Sequence, residues 1–230
     1  MSTADPQRTP GTGAGVVVLG AGGGIGRHVV TEALRAGHRV TATARDPEKV
    51  RALDLAAGLS DDHAARLSVA AADVHDEASL ARAIAGHAAV VSAIGPSGRH
   101  ARGLYSDGAR ATVAAMGRCG IERFVGITSA GVRYDDPQLA PWYRFLVRPL
   151  LGELYGDMIA MEEIVRSSPL DWTLVRPVLL LDRDPTDTYR VLDAATPRRG
   201  RTITRGDVAR FIVTELDQHD WSRRAPTLAH

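Results

Sequence analysis

The strongest constraint on this chain lies in its first thirty residues, in the run Val16-Val17-Val18-Leu19-Gly20-Ala21-Gly22-Gly23-Gly24-Ile25-Gly26. Four apolar, mostly β-branched residues predict a buried strand, and His28 to Ala36 read as a helix. Between them the glycines leave little room for any structure but a strand–turn–helix unit. Gly20 permits a tight turn off the strand. Gly22, Gly23 and Gly24 place no side chain between the backbone N–H groups and an approaching anion. Gly26 lets the helix lie close to the sheet. The positive end of the helix then faces whatever sits in the turn. The spacing is Gly20-x-x-Gly23-x-x-Gly26 rather than G-x-G-x-x-G. Its place directly after a strand and before a helix supplies the context that a bare glycine pattern lacks, and points to a bound pyrophosphate, with Ile25 among its contacts.

The second strand predicts which nucleotide. It reads Arg39-Val40-Thr41-Ala42-Thr43-Ala44-Arg45. A site for an unsubstituted ribose ends this strand in Asp or Glu, which accepts from the 2′-hydroxyl; a 2′-phosphate is repelled by a carboxylate and attracted by a guanidinium. Arg45 therefore favours NADP(H) over NAD(H), unless it is a solvated strand-end charge. Asp46 is expected to cap a helix opening at Pro47.

Strands near Val16–Leu19, Arg39–Thr43, Leu67–Ala71, Ala88–Ser92, Arg123–Thr128 and Trp172–Arg176 alternate with helices near Ile25–Ala36, Pro47–Ala57, Glu77–Ala85, Arg102–Cys119, Leu154–Ser167 and Asp207–Leu216. Asp61-Asp62-His63 reads as a polar loop. The alternation predicts an α/β fold, a doubly wound parallel sheet (Rossmann-like), as one domain over residues 15–230. A small helical insertion near 134–154 and a disordered lead over 1–14 complete the expected organisation. Ligands in such sheets bind at the carboxyl ends of the strands. Asp73 and Val74 end the third strand: Asp73 either accepts from an adenine amino group or caps the following turn, and Val74 packs on the ring. Ala93, Ile94 and Gly95 follow the fourth strand, where small residues let the chain pass close to a ribose. Thr128 and Ser129 follow the fifth and bring hydroxyls near a nicotinamide.

Composition narrows the function further. The 230 residues carry a formal net charge of +1, and no basic cluster is interleaved with aromatics, which argues against nucleic acid. Cys119 is the single cysteine, which fits a reducing cytosol and reads as a small packing residue. No histidine pair has metal-ligand spacing, so no metal is expected. No apolar stretch is long enough to span a membrane. Lys49 is the only lysine, and it sits beside the predicted adenosine end of the site.

Together the glycine turn, Arg45, Asp73-Val74, Thr128-Ser129-Ala130, Leu170 to Pro177 and Thr204-Arg205-Gly206-Asp207-Val208-Ala209 resemble the short-chain dehydrogenase/reductase superfamily in its atypical NmrA-like branch. Within that branch the chain is similar to the NADPH-dependent biliverdin/flavin reductase-like proteins. The resemblance covers Gly15 to about Leu216 and implies NADP(H) as cofactor, with Pro177 closing the sixth strand at the cofactor. Thr204 and Asp207 also have the spacing of a helix capping box, which accounts for them without any function.

The departures matter as much. Most of the superfamily uses Tyr-x-x-x-Lys, but Tyr105, Tyr134, Tyr143, Tyr155 and Tyr189 are followed four residues later by Ala109, Gln138, Val147, Ile159 and Asp193. The segment Tyr155 to Glu163 resembles the Asp/Met-containing helix of the reductase-like proteins that also lack the dyad. Those proteins can place a histidine two residues after the matching proline; here that residue is Leu179. The chemistry that survives is hydride transfer to a substrate needing little acid assistance: a quinone, a flavin or a polycyclic metabolite. Ser129 either donates to a developing oxyanion or closes the strand end, and Tyr155 either assists or packs as a helix-face aromatic. Pro141 to Leu151 holds Trp142, Tyr143 and Phe145 in a chain only 5% aromatic, which suits a wall for a planar apolar substrate, a packed insertion or a homodimer contact. Arg144 and Arg148, four apart, suit an acidic substrate or a solvated face. Three functions stay open: an NADPH-dependent reductase, a non-catalytic NADP(H)-binding redox sensor, and an isomerase or cyclase of the same fold.

Overall fold

The computed structural model describes residues 15–96, 98, 100–138 and 148–230. In chain order the elements are β1 (Gly15–Leu19), α1 (Gly24–Arg35), β2 (Arg39–Ala44), α2 (Pro47–Arg51), α3 (Asp61–Ala64), β3 (Leu67–Ala71), α4 (Glu77–Ile84), β4 (Ala89–Ser92), α5 (Leu104–Cys119), β5 (Arg123–Ile127), α6 (Arg148–Leu150), α7 (Gly152–Ser167), β6 (Asp171–Pro177), β7 (Leu179–Leu181), β8 (Arg190–Asp193), β9 (Thr202–Thr204), α8 (Arg205–Gln218) and β10 (Pro226–Ala229). Eight strands form one sheet in the order β3-β2-β1-β4-β5-β6-β10-β8, and β7 pairs with β9 alone. The large sheet is parallel except at its edge, where β8 runs antiparallel to β10.

The expected doubly wound sheet is therefore present, and its logic is visible in β1. Val16 and Val18 point into a core shared with α1 and α8, while Val17 and Leu19 point into a second core under α4, α5 and α7. A strand buried on both faces must be apolar at every position, which is why this run carries no alternation. Strands β1 to β3 grow the sheet one way and β4 to β6 the other. The carboxyl ends of β1 and β4 are thus neighbours at the switch point, where a crevice opens.

Two glycines make that crevice possible. Gly20 has φ +76°, and a Cβ there would stand 2.7 Å from the Ala93 carbonyl oxygen, inside the contact distance that real side chains keep. At Gly26 a Cβ would overlap the Gly20 carbonyl oxygen outright. Turn, first helix and the end of β4 are packed backbone against backbone.

Several local expectations are revised. The helix from Pro47 stops at Arg51, because Ala52 caps it and Asp54 turns left-handed at φ 44°. Asp46 holds the N-cap position with Pro47 behind it but makes no capping hydrogen bond; its carboxylate pairs with Lys49 at 3.4 Å. The predicted polar loop at Asp61 forms the single turn α3. Helix α5 starts at Leu104 rather than Arg102, since Arg102 and Gly103 have φ of 50° and 76°. Strands β7, β8, β9 and β10, of three or four residues each, were not anticipated. The proposed lead over 1–14 lies outside the described residues, as do positions 139–147 of the proposed insertion.

Gly26→Ala should destabilise the fold by about 1–3 kcal/mol through forced displacement of the turn, measured as a drop in the chemical denaturation midpoint.

Candidate functional site

Helix α1 begins at Gly24 with Gly23 as N-cap, no side chain capping it and no acidic residue in its first turn. Its leading amides have no intrahelical acceptor. Gly23 closes the turn by donating to the Gly20 carbonyl at 2.9 Å. The result is a shallow cradle of N–H groups at the positive end of a helix, with no side chain at 22, 23 or 24 to fill it. That cradle suits the charge of an adenine dinucleotide diphosphate.

Beside the cradle lies a cavity of about 360 Å³. It brings together most of the residues expected to meet cofactor or substrate: Gly23, Gly24, Ile25, Ala93, Ile94, Gly95, Thr128, Ser129, Tyr155 and Pro177. Gly20 and Gly22 shape the turn from behind. The remaining candidates stand further along the sheet edge. Arg45 is exposed just beyond β2. Strands β2 and β3 pair through Ala44 and Ala71, and the Ala72 amide donates to the Ala44 carbonyl at 3.0 Å, so Asp73 follows on the neighbouring strand end. Asp73 accepts from the His75 amide at 3.0 Å through one carboxylate oxygen, which is the turn-capping role. The Val74 side chain lies against Gly108, as does that of Ile94.

Ser129 and Tyr155 both line the cavity. The Ser129 Oγ accepts from the Gly131 amide at 3.2 Å and so opens the short 3₁₀ turn Ala130–Val132. Its own hydroxyl proton is not used in that bond. Tyr155 packs its ring and hydroxyl against Gly131, leaving no room there for a Cβ. Thr128 is turned the other way: its hydroxyl donates to Glu162 Oε1 at 2.8 Å. Glu162, buried on α7, also receives Arg176 Nε at 2.8 Å on the same oxygen, and Arg176 Nη2 on the other. This buried ion pair ties α7 to β6 directly beneath the cavity floor. Four residues after Tyr155 stands Ile159, half-buried, so no lysine accompanies the tyrosine.

Helix α7 also clamps its neighbour α5. Asp157 accepts from the Tyr105 and Ser106 amides at 2.9 and 3.1 Å, capping α5, whose own N-cap is Gly103. Glu153, one turn earlier, accepts from the Arg102 amide at 3.1 Å and from His100 at 2.7 Å. Those hydrogen bonds hold the Glu153 carboxyl below the usual carboxylate range. Tyr105 is placed in the cavity wall by this clamp. Burial first, then the charges of Asp157 and Tyr155, push its phenol up to about 12, so it faces the cavity protonated.

Sequence reasoning missed Tyr105, Met158 and Arg205 among the cavity residues. Tyr105 is the second residue of the helix that Gly103 opens after β4, a usable signal. Arg205 was concealed by the capping spacing around it. Thr204 does cap α8, accepting from the Asp207 amide at 3.0 Å, but the Asp207 carboxylate is taken by Thr204, Thr186, Asp187 and His230. Leu179, where related proteins can carry a histidine, is exposed, while its neighbour Leu180 lines the cavity. The aromatic run 141–147 expected to wall the substrate, with Arg144, lies outside the described residues, as does the side chain of Arg148. Among the described residues no group of His, Cys, Asp and Glu has the arrangement to hold a metal, and no helix is long and apolar enough to cross a membrane.

The chain belongs to the NAD(P)H-binding family, whose model matches residues 20–219. The resemblance to the atypical short-chain dehydrogenase/reductase superfamily is thereby borne out, and the cradle has its cofactor class. Cinnamoyl-CoA reductase 1 of Oryza sativa subsp. japonica is 35% identical over 128 residues, which are 55% of this chain and 37% of that one. The chain spans well under half the length of the curated relatives it matches. Among solved structures, a short-chain dehydrogenase/reductase from Veillonella parvula in complex with NADP superposes with a TM-score of 0.77 at 17% identity, covering 94% of both chains. An anaerobilin reductase from Escherichia coli O157:H7 gives 0.75 at 21% identity over 94% of this chain and 96% of that one.

Glu162→Ala would strand the Arg176 guanidinium unpaired in the interior; the expected loss is about 3–5 kcal/mol of folding stability, read by urea denaturation.

Proposed function

We propose that the chain is an NADPH-dependent reductase of an apolar, conjugated small molecule such as a quinone, a flavin or a polycyclic metabolite. The observation that carries this reading is the cavity itself: it joins the glycine cradle to Ser129 and Tyr155 over walls of Ile94, Leu154, Met158 and Leu180, with no lysine in reach. Bound NADPH supplies a hydride. Gly23, Gly24 and Ile25 hold its diphosphate, Arg45 its 2′-phosphate, and Ala93 to Gly95 let its ribose lie against the backbone. Ser129 donates to the oxygen on which negative charge grows, and Tyr155 fixes the same edge of the substrate. The apolar walls exclude bulk solvent and set the ring plane, so proximity and orientation do most of the work. Water supplies the proton that completes the reduction, because a conjugated product anion is stable enough to wait for it. The likeness to proteins named as reductases of cinnamoyl-CoA and anaerobilin supports the reaction type.

Ile159, in the place where a lysine would lower the tyrosine pKa, favours a second reading, an NADP(H)-responsive regulator without turnover. Incubation with NADPH and a panel of quinones and flavins separates the two: consumption of NADPH is the reductase, and tight binding with no consumption by any acceptor is the sensor.

Arg45→Ala should weaken NADPH about tenfold or more while leaving NADH within a factor of two, by titration calorimetry; equal losses would remove the 2′-phosphate assignment. Ser129→Ala should lower kcat at saturating acceptor by about 10- to 100-fold. Unchanged turnover would make Ser129 a strand-end residue only.

A further inference from the structure

A full positive charge stands where the fold already gathers partial positive charge. Arg205 opens α8, yet its side chain crosses to the start of α1: its Cδ, Nε and Cζ atoms lie 3.1–3.2 Å from where a Gly24 Cβ would be. Gly24 is the first residue of α1, whose N-terminus has no side-chain cap and no acidic residue in its first turn. A cation beside the positive end of a helix is unfavourable by itself. Arg27 adds a second cation on the same turn of helix. Burial first, then the Arg27 and Arg205 charges, hold His28 below the usual imidazole range against the opposing pull of Glu32 and Asp182.

One anion answers this charge. Arg205 Nε donates to Asp182 Oδ1 at 2.7 Å, with the Asp182 side chain 70% exposed and that of Arg205 24% exposed. Ion pairs with one partner so open to water are weak and screened by salt. The pair also engages only Nε, and among the described residues neither terminal nitrogen of Arg205 has a hydrogen-bond acceptor. Those nitrogens form the planar fork that matches two oxygens of a phosphate. Arg205 lines the same cavity as Gly23, Gly24 and Ile25.

We infer that Arg205 binds the diphosphate of the dinucleotide, exchanging its Asp182 partner for the cofactor as the nucleotide enters the glycine cradle. This rests on the dinucleotide reading of the site and adds to it a second cation with a different task. Arg45 stands at the strand end that sees the 2′-phosphate and distinguishes the two coenzymes. Arg205 stands at the helix start, where NADH and NADPH are chemically the same, and strengthens both alike. Asp182 occupies the guanidinium when the cofactor is away, so it competes with the diphosphate.

The test is calorimetric titration of the full chain with NADPH and with NADH, at two salt concentrations. Arg205→Met should weaken both coenzymes by a similar factor of about ten or more and flatten the salt dependence. Arg205→Lys, which keeps the charge and loses the fork, should fall between, and it guards against a variant that simply misfolds. Asp182→Asn should bind both coenzymes at least twofold tighter. Unchanged affinity in Arg205→Met, or a loss confined to NADPH, overturns the diphosphate assignment. Equal or weaker binding in Asp182→Asn overturns the exchange. Failure of the unaltered chain to bind either coenzyme overturns the dinucleotide reading itself, and this inference with it.

Discussion

Everything at the functional end of this molecule depends on the approach of three backbone segments without side chains between them. The end of β1, the start of α1 and the end of β4 meet at Gly20, Gly26 and Ala93 so closely that a methyl group at either glycine would collide with a carbonyl oxygen. That proximity sets the depth of the crevice at the switch point. It also leaves the leading amides of α1 facing outward rather than satisfied by a neighbour. The open helix start is a consequence of steric exclusion as much as of the absence of a capping side chain.

The second half of the site is held by polar groups buried in the two helical layers. Glu162 gathers Thr128 and Arg176 below the floor. A buried pair of this kind adds little net stability over an apolar replacement, yet removal of one partner is costly. Its effect here is to fix the Thr128 hydroxyl as a donor to the interior. Ser129, the next residue, lines the cavity and accepts from the Gly131 amide.

Strands β1, β4 and β5 were legible because each carries a run of apolar residues that ends at a glycine or a small polar residue. The glycine turn, Arg45 and Thr128-Ser129 could be placed at strand ends because their positions follow from the local order of strand, turn and helix. What could not be read depends on partners distant in sequence. Strands β7 to β10 are too short for a period to register, and Pro226 opens the last of them. Helix α2 ends early because Asp54 takes a left-handed conformation that its residue type only permits. Arg205 lies some 180 positions from the glycine it covers, and a local motif already explained its neighbours. Asp73 makes the Asx turn, one of the two readings that its sequence allowed, with one of its two carboxylate oxygens.

Helix α7 brings Tyr155 to the cavity, and through Glu153 and Asp157 it also grips the backbone at Arg102, Tyr105 and Ser106, beside the cavity residue Tyr105. The two adjacent helices are therefore bolted together by carboxylates rather than free to adjust separately. Those carboxylates make the position of the backbone that opens α5 a direct function of where α7 lies.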